Sequence, residues 1–186
     1  MTTVAEFVER YLPELFARVR EQAGGRGGVG VFGLNVIGAG AWSLAPSDTG
    51  LHVALGLSGD RALTASLAVA DFEKLVLQNI TNSEPPSSLL GERLLRWDSE
   101  TVALIKAMPG SILVRIADQG DHLMVLLTPG SRAIDLPHAE CTLDCEWNDL
   151  TSVRQGLQQP MELFLAGKLR IQGDAQLALA LAGVLI

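Results

Sequence analysis

The sequence predicts an α+β fold in which an antiparallel-dominated sheet is covered by helices on one face. Three observations lead there. Residues 4–19 carry apolar side chains at helical spacing, residues 51–57 and 141–147 alternate with a period of two, and the chain from residue 141 onward is punctuated as strand, helix, helix, strand, helix.

In "VAEFVERYLPELFARVREQ", Val4, Phe7, Val8, Tyr11, Leu12, Leu15, Phe16 and Val19 form one stripe, so residues 1–24 are assigned to an N-terminal helix. Residues 28–33, "GVGVFG", then show the glycine spacing of a dinucleotide-binding turn. That turn needs a strand entering and a helix leaving. Here a helix enters, and "LNVIGAGAWSL" leaves with β-formers and more glycine, which reads as a strand. The glycines therefore belong to a helix-to-strand connection and to a closely packed first strand of the sheet. In "LHVALGLSGD", Leu51, Val53, Leu55 and Leu57 alternate with smaller residues as a further strand.

The 186 residues suit one ordinary domain, or two small units sharing a core. Hydrophobic residues make up 48 % of the chain and aromatics only 5 %, so the apolar surface is mainly aliphatic. The longest apolar run, "LALALAGVLI", falls short of the ~20 residues that cross a bilayer, and no basic, cleavable N-terminal segment is visible. A cytoplasmic protein that does not span a membrane is expected. The net charge of −7 argues against nucleic acid as a partner.

Cys141 and Cys145 in "HAECTLDCEW" invite a metal or redox reading, with His138 close by. Residues 140–147 alternate polar and apolar, however, and on a strand two cysteines four residues apart are separated by about 13 Å. That exceeds the ~7 Å reach of a disulfide and does not suit a shared zinc. No metal site and no cofactor is assigned. His52, His122 and His138 lie in or beside strands, none within a nucleophile signature, so no catalytic residue is named.

Beyond the strand at 141–147, Asn148 is placed as the N-cap of a short helix carrying Leu150, Val153 and Leu157, with Gly156 ending it. Pro160 opens a second helix where its missing N–H costs nothing, and Gly167 closes that helix. "KLRIQ" follows as a strand, Gly173 turns the chain and Asp174 caps the final helix.

Gly156, Pro160, Phe164 and the run Gly167, Lys168, Leu169, Ile171, Gly173 and Asp174 resemble the sterol carrier protein type-2 (SCP-2) lipid-binding domain, whose pattern ends in "GKLxIxGD" and an apolar helix. "SILVRIAD", "HLMVLLTPG" and "RAIDLPHAE" resemble that family's earlier strands more loosely. The chain also resembles itself at a period of about 75 to 80 residues. "LTASLAVADFEKL" matches "CTLDCEWNDLTSV" with Asp71 against Asp149, and "LRWDSETVAL" matches "LRIQGDAQLA" with Ser99 where the family glycine stands. Residues 25–108 are thus assigned to a degenerate SCP-2-like half and 109–186 to a half with the full motif, joined at "AMPGS".

From Leu177 to Ile186 the final helix has no polar side chain, so it fills a core groove, covers a ligand or forms an interface. The resemblance implies an apolar tunnel beneath it that accepts a sterol, fatty acid, acyl or isoprenoid chain. Trp147, Leu150, Val153 and Phe164 are candidate lining residues, with Leu177, Leu181 and Val184 on one face of the final helix. Three functions follow from the resemblance: a non-catalytic carrier, an accessory protein presenting an apolar intermediate in lipid or quinone biosynthesis, and an enzyme built on the cavity. A homodimer or a biosynthetic enzyme would be the protein partner.

Overall fold

The computed structural model describes residues 3–22, 24, 27–77, 97–154 and 156–185. Helix α1 starts as Val4–Glu6, widens into a π-helical turn over Phe7–Tyr11 and continues as Leu12–Gln22. The Thr3 hydroxyl caps it, accepting from the Glu6 amide. The widening falls just ahead of Pro13, whose ring and missing N–H interrupt the regular ladder. Every buried position of α1 lies on the stripe read from sequence: Val4, Phe7, Val8, Leu12, Leu15, Phe16 and Val19, with Tyr11 half-buried at its edge.

Strands β1 (Phe32–Ile37), β2 (Gly40–Ser47), β3 (Gly50–Leu55) and β4 (Leu63–Ala68) follow, and helix α2 runs through Val69–Phe72 into a π-helical Glu73–Leu77. Helix α3 (Ser99–Ala107) leads to β5 (Ile112–Asp118) and β6 (Asp121–Pro129). The C-terminal segment contains β7 (Cys141–Glu146), α4 (Trp147–Arg154), α5 (Pro160–Leu165), β8 (Arg170–Gly173) and α6 (Ala175–Leu185). The described strands form one sheet in the order β3-β2-β1-β4-β6-β5-β7-β8. Only β1–β4 and β5–β7 pair in parallel, so antiparallel pairing dominates. The "AMPGS" junction lies in the link between α3 and β5, and the sheet continues across it through β4 and β6.

Cross-strand partners share a face. Phe32 is paired with Leu44 and Leu63, and Ile112 with Leu127 and Cys141, all on the same side of the sheet. Phe7 and Phe16 of α1, Phe72 of α2, Ile105 of α3 and Leu177 and Leu181 of α6 join these residues in one core. The helices therefore cover one face, and the opposite face carries Asn35, Ser66, Arg115, Asp144 and Gln172.

Gly30 has φ +97°, which serves the turn into β1, and a Cβ at Gly33 would crowd the Thr64 hydroxyl and Leu57. These roles account for the glycine run without a nucleotide. Three local assignments are corrected. Residues 132–140, "RAIDLPHAE", are not a strand; they hold a 3-10 turn at Leu136–His138, where Pro137 could not donate to a ladder. Asn148 is no N-cap, because α4 starts at Trp147 directly from β7 and the Asn148 carbonyl already accepts from the Ser152 hydroxyl inside the helix. Leu57 is not in the strand, since β3 ends at Leu55 and Gly56 at φ +90° takes the chain off the sheet edge.

Gly167 and Gly173 both have positive φ, +70° and +90°, but their surroundings differ. A Cβ at Gly167 meets nothing within 4 Å, whereas one at Gly173 would overlap the Glu140 carbonyl oxygen. Gly167→Ala should thus cost about 1–2 kcal/mol from backbone strain alone. Gly173→Ala should cost clearly more. Denaturant unfolding of the two variants gives the comparison, and equal losses would contradict the close approach at Gly173.

Candidate functional site

The motif residues build a frame. Gly156, at φ +70°, ends α4 with its amide on the Val153 carbonyl at 3.0 Å. Pro160 is the first residue of α5, where Gln159 and Glu162 form a reciprocal cap. Gly167 lets the chain reverse so that the Lys168 and Leu169 amides reach the Leu163 carbonyl. The Lys168 ammonium lies 3.1 Å from an Asp149 carboxylate oxygen, tying the loop to α4. Asp174 Oδ1 accepts from the amides of Gln176 and Leu177, and its own amide donates to the Glu140 carbonyl. The "GKLxIxGD" run thereby fixes β8 and α6 against β7.

On the helix-covered face of β5–β8, burial is uneven. Ile112, Ile116, Leu123 and Cys141 are buried, while Val114, Val125, Leu127, Leu143 and Ile171 between them are only half-buried. Helix α6 packs on β7, β8 and α3, and α4 packs on β5 and β7. Leu75, Val76 and Leu77 of α2 are half-buried against the same core. The result is an apolar stretch of sheet whose side chains stay half-buried beneath the described helices.

Cys141 and Cys145 flank Leu143 on this face, and both thiols are free. Burial pushes the Cys145 thiol up to about 11, with Asp149 adding to the effect, and burial raises Cys141 as well. A low-polarity environment gives this shift, and it leaves both thiols protonated and poorly nucleophilic at neutral pH. His52, His122 and His138 are all exposed, and His138 instead sits against the Asp135 carboxylate at 3.0 Å.

Of the lining residues named from sequence, Trp147, Leu150 and Val153 are half-buried on α4. Phe164 is 41 % exposed, and it is the adjacent Leu163 that α5 buries, at 2 %. Leu177 and Leu181, 3 % and 2 % exposed, are packed in the core with Ile112 and Cys141. The side chain of Val184 lies outside the described residues. Val114, Val125, Leu127, Leu143 and Ile171 were not named from sequence as lining residues, Ile171 entering only through the motif. Their signal was the alternation of "CTLDC" and "LRIQ" and the apolar runs in "ILVRI" and "LMVLL", which mark strands but not how tightly a face is covered.

With this arrangement in view, the family model described as the SCP-2 sterol transfer family matches residues 92–185, and the chain belongs to that family. Sterol Carrier Protein 2 from Yarrowia lipolytica, in its apo form, is similar at 18 % identity over 47 % of this chain and 74 % of that one, with a TM-score of 0.37. The sterol carrier protein domain 2 of Helicoverpa armigera is similar at 18 % identity over 61 % and 82 %, with a TM-score of 0.38. UbiJ-SCP2, a ubiquinone synthesis protein, is similar at 19 % identity over 62 % and 85 %, with a TM-score of 0.33. No curated protein matches the chain. Among the described residues, no helix is long and apolar enough to cross a membrane.

Two outcomes follow. Leu181→Ala should lower stability by roughly 2 to 5 kcal/mol, the cost of emptying a packed core position, as read by chemical unfolding. Cys145 has a folded pKa above its unfolded value of ~8.5, so its contribution is complete below that pH and is lost as pH rises toward 11. Wild-type melting temperature should therefore fall relative to Cys145→Ala between about pH 8.5 and 11; parallel curves would show a thiol in a water-like setting.

Proposed function

We propose that the protein binds and carries a small apolar molecule, of the sterol, fatty acid, acyl or isoprenoid class, against Val114, Val125, Leu127, Leu143 and Ile171. The observation that carries this reading is the half-buried aliphatic stretch itself, in a chain of the SCP-2 sterol transfer family. Affinity would come from area burial, about 0.8 kcal/mol per methylene removed from water. Ten buried methylenes contribute roughly 8 kcal/mol before the entropic cost of association, enough for a usable carrier. The same face would serve an accessory role in which the ligand is handed to a biosynthetic enzyme. That role adds a protein partner and changes nothing in the site.

Native mass spectrometry of the protein as purified, followed by solvent extraction, should find an apolar molecule bound. Val125→Trp fills the middle of the stretch and should weaken binding of a pyrene-labelled fatty acid more than tenfold while shifting the melting temperature by only a few degrees. Unchanged affinity in a folded Val125→Trp protein would move the ligand elsewhere.

A further inference from the structure

The two sides of the sheet are built alike. β1 pairs antiparallel with β2 and parallel with β4, and β5 pairs antiparallel with β6 and parallel with β7. The registers correspond: Phe32 meets Leu44 and Leu63, and Ile112 meets Leu127 and Cys141. A helix follows β4 and another follows β7. Asp98 starts α3 by accepting from the amide three residues on, that of Thr101, as Asp174 starts α6 by accepting from that of Leu177. The edges correspond too. β3 lies antiparallel beside β2 as β4 does beside β6, and β8 lies antiparallel beside β7 as β6 does beside β4. Each side borrows an edge strand from the other.

Helix α1 is the exception. It precedes β1, whereas β5 follows α3 after only the short link 108–111. We infer that the sheet uses one apolar-ligand unit twice, and that α1 is the permanent occupant of the first, leaving the second as the chain's single ligand site. This rests on the carrier reading and adds to it a capacity and a reason for it. Corresponding positions on the helix-covered face show the difference. Leu34, Trp42, Leu44 and Leu67 are all buried, and their counterparts Val114, Val125, Leu127 and Cys145 are half-buried. In the first unit Phe7, Val8, Leu12 and Phe16 of α1 supply the apolar cover. The indole of Trp42, standing where the second unit has Val125, fills the space and donates its Nε1–H to the Glu9 carboxylate of α1 at 2.8 Å. The Phe7 ring meets Phe72 of α2 edge-on at 5.7 Å, which closes the other side. The occupant and the wall are thus joined by a hydrogen bond within the chain.

Two measurements on the full chain test this. In native mass spectrometry the wild-type protein should saturate at one pyrene-labelled fatty acid per chain, and Trp42→Val, which installs the residue of the second unit, should raise this toward two. A diazirine-bearing fatty acid should cross-link the wild-type protein within residues 112–127 and 141–146, and this second readout holds even where Trp42→Val does not fold. Two ligands per wild-type chain, cross-links in α1, β1 or β2, or a folded Trp42→Val that still binds one would each overturn the inference while leaving the carrier reading intact. No saturable binding by the wild-type protein would overturn the carrier reading, and this inference with it.

Discussion

The backbone ladder between β4 and β6, residues 63–66 against 126–129, makes one sheet out of two. Without it both strands would present a row of unpaired amides and carbonyls in the middle of the molecule. The corner of this seam is clamped from several directions. Ala62 donates to the Val31 carbonyl and accepts from the Gly130 amide. Arg61, 9 % exposed, directs Nε to the Thr64 hydroxyl at 2.7 Å, Nη1 to the Ser58 carbonyl and Nη2 to the Arg132 carbonyl. Among the described residues no carboxylate pairs with it, so its charge is spread over neutral oxygens from both sides of the seam. The fork of a guanidinium suits that task where the single charge of a lysine would not.

Because the seam continues the sheet across the junction, one face runs apolar from β3 to β8, while the other is mixed, with Leu126, Thr64, Ser66 and Thr128 buried at its middle and polar side chains toward β7 and β8. On this second face the Arg115 guanidinium makes a two-point contact with Asp144, at 2.6 and 2.9 Å, and Gln172 adds a third donor. These bonds hold the Asp144 carboxyl below the usual carboxylate range. Their contribution to stability is small, since the arginine side chain is more than a third exposed. Their effect is on registration: β5, β7 and β8 are fixed relative to one another from the solvent side, which leaves the helix side free to carry half-buried aliphatics without losing alignment.

How much of this the sequence disclosed follows from what periodicity measures. The buried stripe of α1 was legible residue by residue, because a 3.6-residue period over five turns has few competing explanations. Pro160, Gly167, Gly173 and Asp174 were legible because each answers a local backbone demand: a helix start, a positive φ or a cap. The N-cap at Asn148 failed where β7 runs into α4 without the usual intervening cap residue. The strand at 132–140 failed at Pro137, which cannot donate to a ladder and sits in a 3-10 turn instead. Phe164 and Leu163 could not be separated, since a six-residue helix is too short for its apolar residues to define a face. The uneven burial of Val114, Val125, Leu127, Leu143 and Ile171 was beyond reach for a deeper reason: alternation says which side of a strand is apolar, and only the placement of α1, α4 and α6 decides how much of that side is covered.

The chemistry of the half-buried stretch limits what the proposed carrier could recognise. It is made of branched aliphatics with the protonated Cys145 thiol on the same face, and the ion pair of Lys168 with Asp149 is already satisfied by its own partners. A surface of this kind would sense the shape and length of a ligand through dispersion and displaced water, at about 0.8 kcal/mol for each methylene gained or lost. Its described aliphatic side chains offer no donor or acceptor that would be left unpaired by the wrong headgroup, which is the mechanism by which protein sites reject close analogues by larger factors. On the carrier reading, discrimination within a class of apolar chains would therefore be gradual, and any sharper choice would have to be made at the rim, where a ligand's polar end meets exposed side chains and water.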